Sequence, residues 1–141
     1  DASYDVITLW HVLEHLPNME EDLKTFKRLL KPNGRIIVAV PNFKSFDALY
    51  FKSFWAAYDV PRHLWHFSKE SIPKIFSKVQ MKLEKTYPMR MDAYYVSMLS
   101  NKQKTGSIRF LSSLLTGFRS NLKASKSGEY SSLIYVLKNT Y

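Results

Sequence analysis

The chain has 141 residues, 21 Lys and Arg against 12 Asp and Glu, a formal net charge of +9 and no cysteine. That length suffices for one domain with a buried core, and a hydrophobic content of 45% is that of a globular chain rather than a disordered one. The lack of cysteine excludes disulfides, a thiolate metal site and a cysteine nucleophile, and no apolar run approaches the ~20 residues that span a bilayer, a combination that fits a cytoplasmic protein.

Tyr4 to Trp10 is a nearly continuous apolar run, the pattern of a strand covered on both faces. It stops abruptly in a polar cluster, His11-Val12-Leu13-Glu14-His15, and Pro17 follows at once. Asn18, with Glu21 three residues on, predicts a helix N-cap and a capping box. Met19, Leu23, Phe26 and Leu30 then recur at helical spacing and define one buried stripe. Glu20, Glu21 and Asp22 at the start, with Lys27, Arg28 and Lys31 near the end, suit the helix dipole. Pro32-Asn33-Gly34 is expected to stop the helix and turn the chain, and Arg35 to Val40 is a second buried strand closed by Pro41. Strand, helix and strand on short links predict a parallel, right-handed βαβ unit.

Phe43 to Tyr58 is dense in aromatic residues and is expected to be helical in its middle. A helix follows, with Ser68 or Ser71 at its start and Ile72, Ile75, Phe76 and Val79 turned inward; Pro73 favours the later start. Lys82 to Tyr87 alternates weakly and reads as an edge strand. In residues 88–130, Ile108, Leu111, Leu115, Phe118 and Leu122 make an amphipathic helix with Arg109, Arg119 and Lys123 around it. Its apolar stripe is expected to dock on the domain, with an anionic membrane surface as the lesser alternative. Ser127-Gly128-Glu129 is a turn and Leu133 to Leu137 a last strand. The basic balance is concentrated late in the chain, but no recognised nucleic-acid module accompanies it, so no nucleic-acid partner is expected.

The chemistry is concentrated in two histidine clusters. His11, Glu14 and His15 match H-x-x-E-H, which in inverted zinc proteases requires both histidines on one face of a continuous helix. A strand running into His11 and a proline two residues after His15 leave room for one turn at most, so a protease is not expected. His63 and His66 lie in Asp59-Val60-Pro61-Arg62-His63-Leu64-Trp65-His66-Phe67-Ser68. Either they hydrogen-bond backbone beside buried aromatics, or Arg62 and His63 face a substrate with His63 as general base.

Y-D-V-I-x-x-x-H-V-L-E-H-L-P-N from Tyr4, L-K-P-N-G-R-I-I-V-A-V-P-N from Leu30, and the block from Asp59 to Ser68 occur in an order and spacing that resembles the second half of a class I S-adenosylmethionine-dependent methyltransferase of the small-molecule, ubiquinone-biosynthesis type. The resemblance implies an α/β fold: a Rossmann-like, mostly parallel sheet with flanking helices, its last strand antiparallel. It implies that residues 1–141 are the C-terminal part of one methyltransferase domain, with residues 88–130 a helical insertion before the last strand. The family's glycine-rich cofactor loop is then expected upstream of Asp1, since none of the four glycines forms G-x-G, and the chain alone is expected to lack useful cofactor affinity and activity.

By the same resemblance, Trp10 and His11 are the cofactor-side residues, with His11 near the methionine end. His63, His15 and Glu14 are the catalytic set, the last two as loop supports, and Tyr58 and Arg62 face a small-molecule acceptor such as a quinone, lipid or sugar precursor. Some relatives carry E-x-x-E-H at this loop and bind a divalent ion. His11 stands where their first Glu would be and weakens a Mg²⁺ site, which prefers oxygen ligands, so no metal is assigned, and a metal-dependent enzyme built on His11, Glu14 and His15 is an alternative. A non-catalytic interaction module is another. By the family's strand order, one edge of Tyr4 to Trp10 is expected to be open and to promote self-association.

Overall fold

In the computed structural model, which describes residues 1–140, strand β1 (Tyr4–Trp10) pairs in parallel with β2 (Leu30–Pro41), and α1 (Met19–Leu29) is the crossover between them. The expected βαβ unit is therefore present. Its details differ at two points. Asn18 stands at the N-cap of α1 but its side chain caps nothing, so the capping box does not form. Pro32-Asn33-Gly34 does not separate helix from strand either, because β2 already begins at Leu30 and carries these residues as a bulge. Tyr4 faces Leu30 while Val6 faces Arg35, so the register shifts between them. A Cβ on Gly34 would stand 2.9 Å from the Asp5 carbonyl oxygen and 2.7 Å from the Leu30 side chain, so this close approach of backbone requires glycine.

After β2 come α2 (Phe46–Phe51), two short 3₁₀ turns, α3 (Ser71–Ser77) and β3 (Met81–Pro88). The chain then makes a pair of helices, α4 (Asp92–Thr105) and α5 (Phe110–Ser127), before β4 (Ser132–Asn139). The sheet order is β1-β2-β4-β3. β4 is antiparallel to both β2 and β3, so three strands run one way and the last, inserted between them, runs the other. That is the expected α/β sheet with its last strand antiparallel and β3 at an edge.

Pairing places Leu9, Val38 and Tyr135 side by side, with Ile36 beside Leu137 and Val40 beside Leu133. These buried residues form one face, which joins a single core with Leu23 of α1 and Ile72 and Phe76 of α3. The other face is different at β1. The strand was expected to be covered on both sides, yet Tyr4, Val6 and Trp10 are about half exposed, because among the described residues no helix packs extensively over that face of β1. An apolar run thus marked the strand but not its surroundings.

A second, smaller core surrounds Trp55, with Ala48, Phe51, Ala57 and Val96. Beside it the buried Asp47 carboxylate accepts hydrogen bonds from Trp55 Nε1 (2.8 Å), Ser120 Oγ (2.7 Å) and Ser131 Oγ (2.7 Å). One acid therefore ties α2 to α5 and to the start of β4. The α4–α5 contact is made by small residues. Ser113, Thr116, Gly117, Ser120 and Ala124 are the buried positions of α5, and Ala93, Val96, Ser97, Ser100 and Asn101 those of α4. The expected inward docking of Leu111, Leu115, Phe118 and Leu122 is overturned: these side chains face outward. Close approach of the two helices leaves no room for large residues between them, since even a Cβ on Gly117 would lie 2.9 Å from the Tyr94 Cα.

Candidate functional site

The site is built where β1 ends. His11 still donates its backbone N–H to the Ala39 carbonyl (3.0 Å), and then the chain turns through a left-handed conformation at His11, with φ of 51°. Leu13–His15 follow as a single 3₁₀ turn anchored by the fully buried Leu13. One turn is what the sequence allowed, and it cannot place both histidines on a helix face in the protease manner.

The 59–66 loop is laced to this turn. Leu64 and Trp65 donate their N–H groups to the Glu14 carbonyl (2.9 and 3.3 Å), and Trp65 Nε1 donates to the Leu16 carbonyl (2.8 Å). His15 Nδ1 reaches the Arg62 carbonyl at 3.0 Å and must donate to it. His63 Nδ1 does the same to the Ala57 carbonyl at 2.8 Å. Both rings thereby have their protons fixed on Nδ1 when neutral, and each Nε2 is left with a lone pair. His66 is an exposed backbone partner, donating from Nε2 to the Tyr58 carbonyl (2.9 Å).

Glu14 is 1% exposed, with Oε1 3.3 Å from His11 Nδ1 and 4.0 Å from His63 Nε2, and its Oε2 has no hydrogen-bond partner. The other nitrogen of His11, Nε2, lies 3.4 Å from Asp92 Oδ2. An imidazole between two carboxylates is held as a cation. Hydrogen bonding to Asp92 first, then to Glu14, raises its pKa from 6.5 to about 9 against the opposing effect of burial. Asp92 is the functional neighbour that sequence reading missed. It begins α4, a helix without a clear apolar stripe, and nothing local marks it as a partner of a residue eighty positions earlier.

A cleft of about 770 Å³ opens over these groups. His11, Asp59, Arg62 and His63 line it from the two loops, and Asp92, Tyr95, Leu99 and Lys102 of α4 form the far wall. Arg62 is itself paired with Asp59 at 2.6 Å. Of the residues singled out in the sequence, His11, Glu14, His15, Arg62 and His63 are brought together. Trp10 and Tyr58 are not among those lining the cleft: Trp10 stands half exposed on the open face of β1, and Tyr58 packs edge-on against Trp55 and His66.

A family model described as a methyltransferase domain matches residues 1–86. No curated protein matches the chain. Among solved structures, an S-adenosylmethionine-dependent methyltransferase from Thermotoga maritima is 14% identical, with a TM-score of 0.58 over 100% of this chain and 57% of its own. The Burkholderia thailandensis 1,6-didemethyltoxoflavin-N1-methyltransferase, with S-adenosylhomocysteine bound, is 12% identical, with a TM-score of 0.54 over 99% of this chain and 45% of its own. A Haemonchus contortus phosphoethanolamine N-methyltransferase, also with S-adenosylhomocysteine, is 14% identical, with a TM-score of 0.55 over 99% and 34%. The chain thus spans from about a third to just over half the length of these structures. A match over more than half of its residues, on this sheet order, makes the chain a member of the methyltransferase-domain family with the class I S-adenosylmethionine-dependent methyltransferase fold.

Proposed function

We propose that this chain serves transfer of a methyl group from S-adenosylmethionine to a small-molecule acceptor, of which a quinone, a lipid or a sugar precursor are the candidates. The observation that carries the reading is the cleft at the end of β1, where a cationic histidine, a second histidine with its Nδ1 held by a carbonyl and two carboxylates converge between two hydrogen-bonded loops. A cofactor with a positive sulfonium and a negative amino-acid carboxylate needs both signs close by. His11 supplies the cation, and Asp59 and Asp92 supply the carboxylates, so the residues fit. Bound there, the cofactor supplies an electrophilic methyl group.

His11 stands near the methionine end of the cofactor, with Trp10 beside it on the strand. His63 receives the proton released by a hydroxyl or amine acceptor. Its Nε2 is the free nitrogen, because Nδ1 is committed to the Ala57 carbonyl. Glu14 and His15 hold the loop, Arg62 faces the acceptor, and Tyr58 supports that side from behind by packing on Trp55 and His66. Methyl transfer needs in-line approach, so positioning carries much of the rate. Residues 1–141 act as one part of a methyltransferase domain, and this stretch by itself binds the cofactor poorly, having no G-x-G among its glycines. Calorimetric titration of the full-length protein with S-adenosylhomocysteine tests the reading, residues 1–141 alone being expected to show no useful affinity. Micromolar affinity weakened at least tenfold by His11→Ala supports it. No binding, or binding indifferent to His11, overturns it in favour of a non-catalytic module.

A second reading has its own observation. Glu14, His15 and His63 offer three ligand atoms within 4.8 Å of one another. Both histidines donate Nδ1–H to a carbonyl, the outer arrangement usual for metal-binding imidazoles, and the buried Glu14 Oε2 is unpartnered. Three acceptors facing each other call for a cation, and two imidazoles with one carboxylate suit Mn²⁺, Fe²⁺ or Zn²⁺ better than Mg²⁺. His11 belongs to Asp92 rather than to this set. Titration with Mn²⁺ and Zn²⁺ supports the reading if binding disappears in His15→Ala and Glu14→Gln, and sinks it if binding persists or never occurs.

A further inference from the structure

Helix α5 wears its polarity inside out. Its packed side is Ser113, Thr116, Gly117, Ser120 and Ala124, while Phe110, Leu111, Leu114, Leu115, Phe118 and Leu122 are from 47% to 74% exposed. At 3.6 residues per turn these six fall on one arc, opposite the buried one. The helix cannot roll to bury them, because Gly117 already sits against the Tyr94 backbone and ring. Asn101 Nδ2 donates to Ser113 Oγ (2.8 Å) and Ser120 Oγ donates to the buried Asp47 (2.7 Å), which fixes the rotation further. The outward face is therefore imposed by the packing of the inner one.

Charge identifies what covers that face. Arg119, Lys123 and Lys126 run along one flank of the apolar arc, all exposed, with Arg109 just before the helix. No acid occurs between Asp92, which pairs with His11, and Glu129, which pairs with Lys69 at 3.1 Å. A second copy of this face would bring like charges together. An anionic bilayer surface offers acyl chains to the leucines and phenylalanines and headgroups to the cations, which is the occupancy of an in-plane amphipathic helix. No helix among the described residues is long and apolar enough to cross a membrane, so α5 lies on the surface rather than through it. We propose that the outward face of α5 docks this chain on anionic lipid membranes. The proposal is independent of what the cleft catalyses.

Co-sedimentation of the protein with phosphatidylcholine vesicles, with and without phosphatidylglycerol, tests it. The expected result is binding to the anionic vesicles only, reduced by added salt. Leu115→Ser with Phe118→Ser, and separately Arg119→Gln with Lys126→Gln, should each weaken partition at least tenfold. These side chains are exposed, and circular dichroism establishes that each variant stays folded. Absence of binding by the folded protein overturns the proposal. So does equal binding to neutral vesicles, or a solution dimer that the Leu115 and Phe118 changes abolish, because the face is then an interface between copies.

Discussion

The pair His11–Asp92 links the end of β1 to the start of α4, and its charge state should be readable in solution. His11 has a folded-state pKa of about 9 against 6.5 for a free imidazole. A raised pKa means that folding favours the protonated ring, so the stabilisation is complete below pH 6.5 and is lost as pH rises through about 9. Asp92→Asn removes the larger cause. NMR titration of His11 should then show a pKa moved down toward the ordinary value, and the difference in melting temperature between the two proteins should be largest near pH 6 and vanish above the native His11 pKa. An unchanged titration would mean that the ring does not face Asp92 in solution.

The same scale explains why part of the site was legible and part was not. His11, Glu14 and His15 are neighbours in sequence at the end of an apolar run, so their convergence follows from local geometry. His63 joins them only because the 59–66 loop gives two N–H groups to the Glu14 carbonyl, a contact between segments that no spacing rule encodes. Asp47 was equally silent in the sequence. It is buried and accepts three hydrogen bonds, from Trp55, Ser120 and Ser131. Asp47→Ala leaves those donors unpaired and should cost about 3–5 kcal/mol in denaturant unfolding. Asp47→Asn keeps the shape and an acceptor oxygen and should cost less.

Among the elements, α1, α3 and β4 could be read because each has one buried face of large apolar residues, such as Leu23 of α1, Ile72 and Phe76 of α3 or Leu133 and Leu137 of β4, while β1 was marked by its apolar run and β3 by weak alternation. α4 could not, because its buried positions are Ala93, Val96, Ser97, Ser100 and Asn101, which look like surface residues. α5 was recognised as a helix and oriented backwards for the same reason. Where two helices pack through small residues, burial follows size rather than hydrophobicity, and the apolar stripe ceases to point at the core. Gly117 is the position on which this packing turns. Gly117→Val must push against Tyr94 and should destabilise the protein by about 1–3 kcal/mol, overpacking being the mechanism. Leu115→Ser on the opposite arc should leave the unfolding midpoint nearly unchanged. Equal costs at the two positions would mean that the helix presents its other face to the domain.

For the molecule as a whole, the parallel β1–β2 pair followed from the order of elements, whereas the reversed last strand and the open edge of β1 among the described residues followed from the family resemblance. One edge of β1 is hydrogen-bonded to β2, and no strand pairs with the other among the described residues. That strand carries Tyr4, Val6 and Trp10 half exposed and has no proline, and its one charge, Asp5, is paired with Lys31. Unpaired backbone donors and acceptors beside apolar side chains favour a second strand, so this chain should self-associate through β1. Sedimentation equilibrium should show a concentration-dependent oligomer. Val6→Lys, which puts a charge on the exposed face without touching Leu9 or the core, should shift it to monomer, while Leu115→Ser with Phe118→Ser on α5 should leave it intact. A chain that stays monomeric at high concentration, or an oligomer indifferent to Val6→Lys, would show that solvent satisfies this edge and that the exposed face of β1 contributes nothing to association.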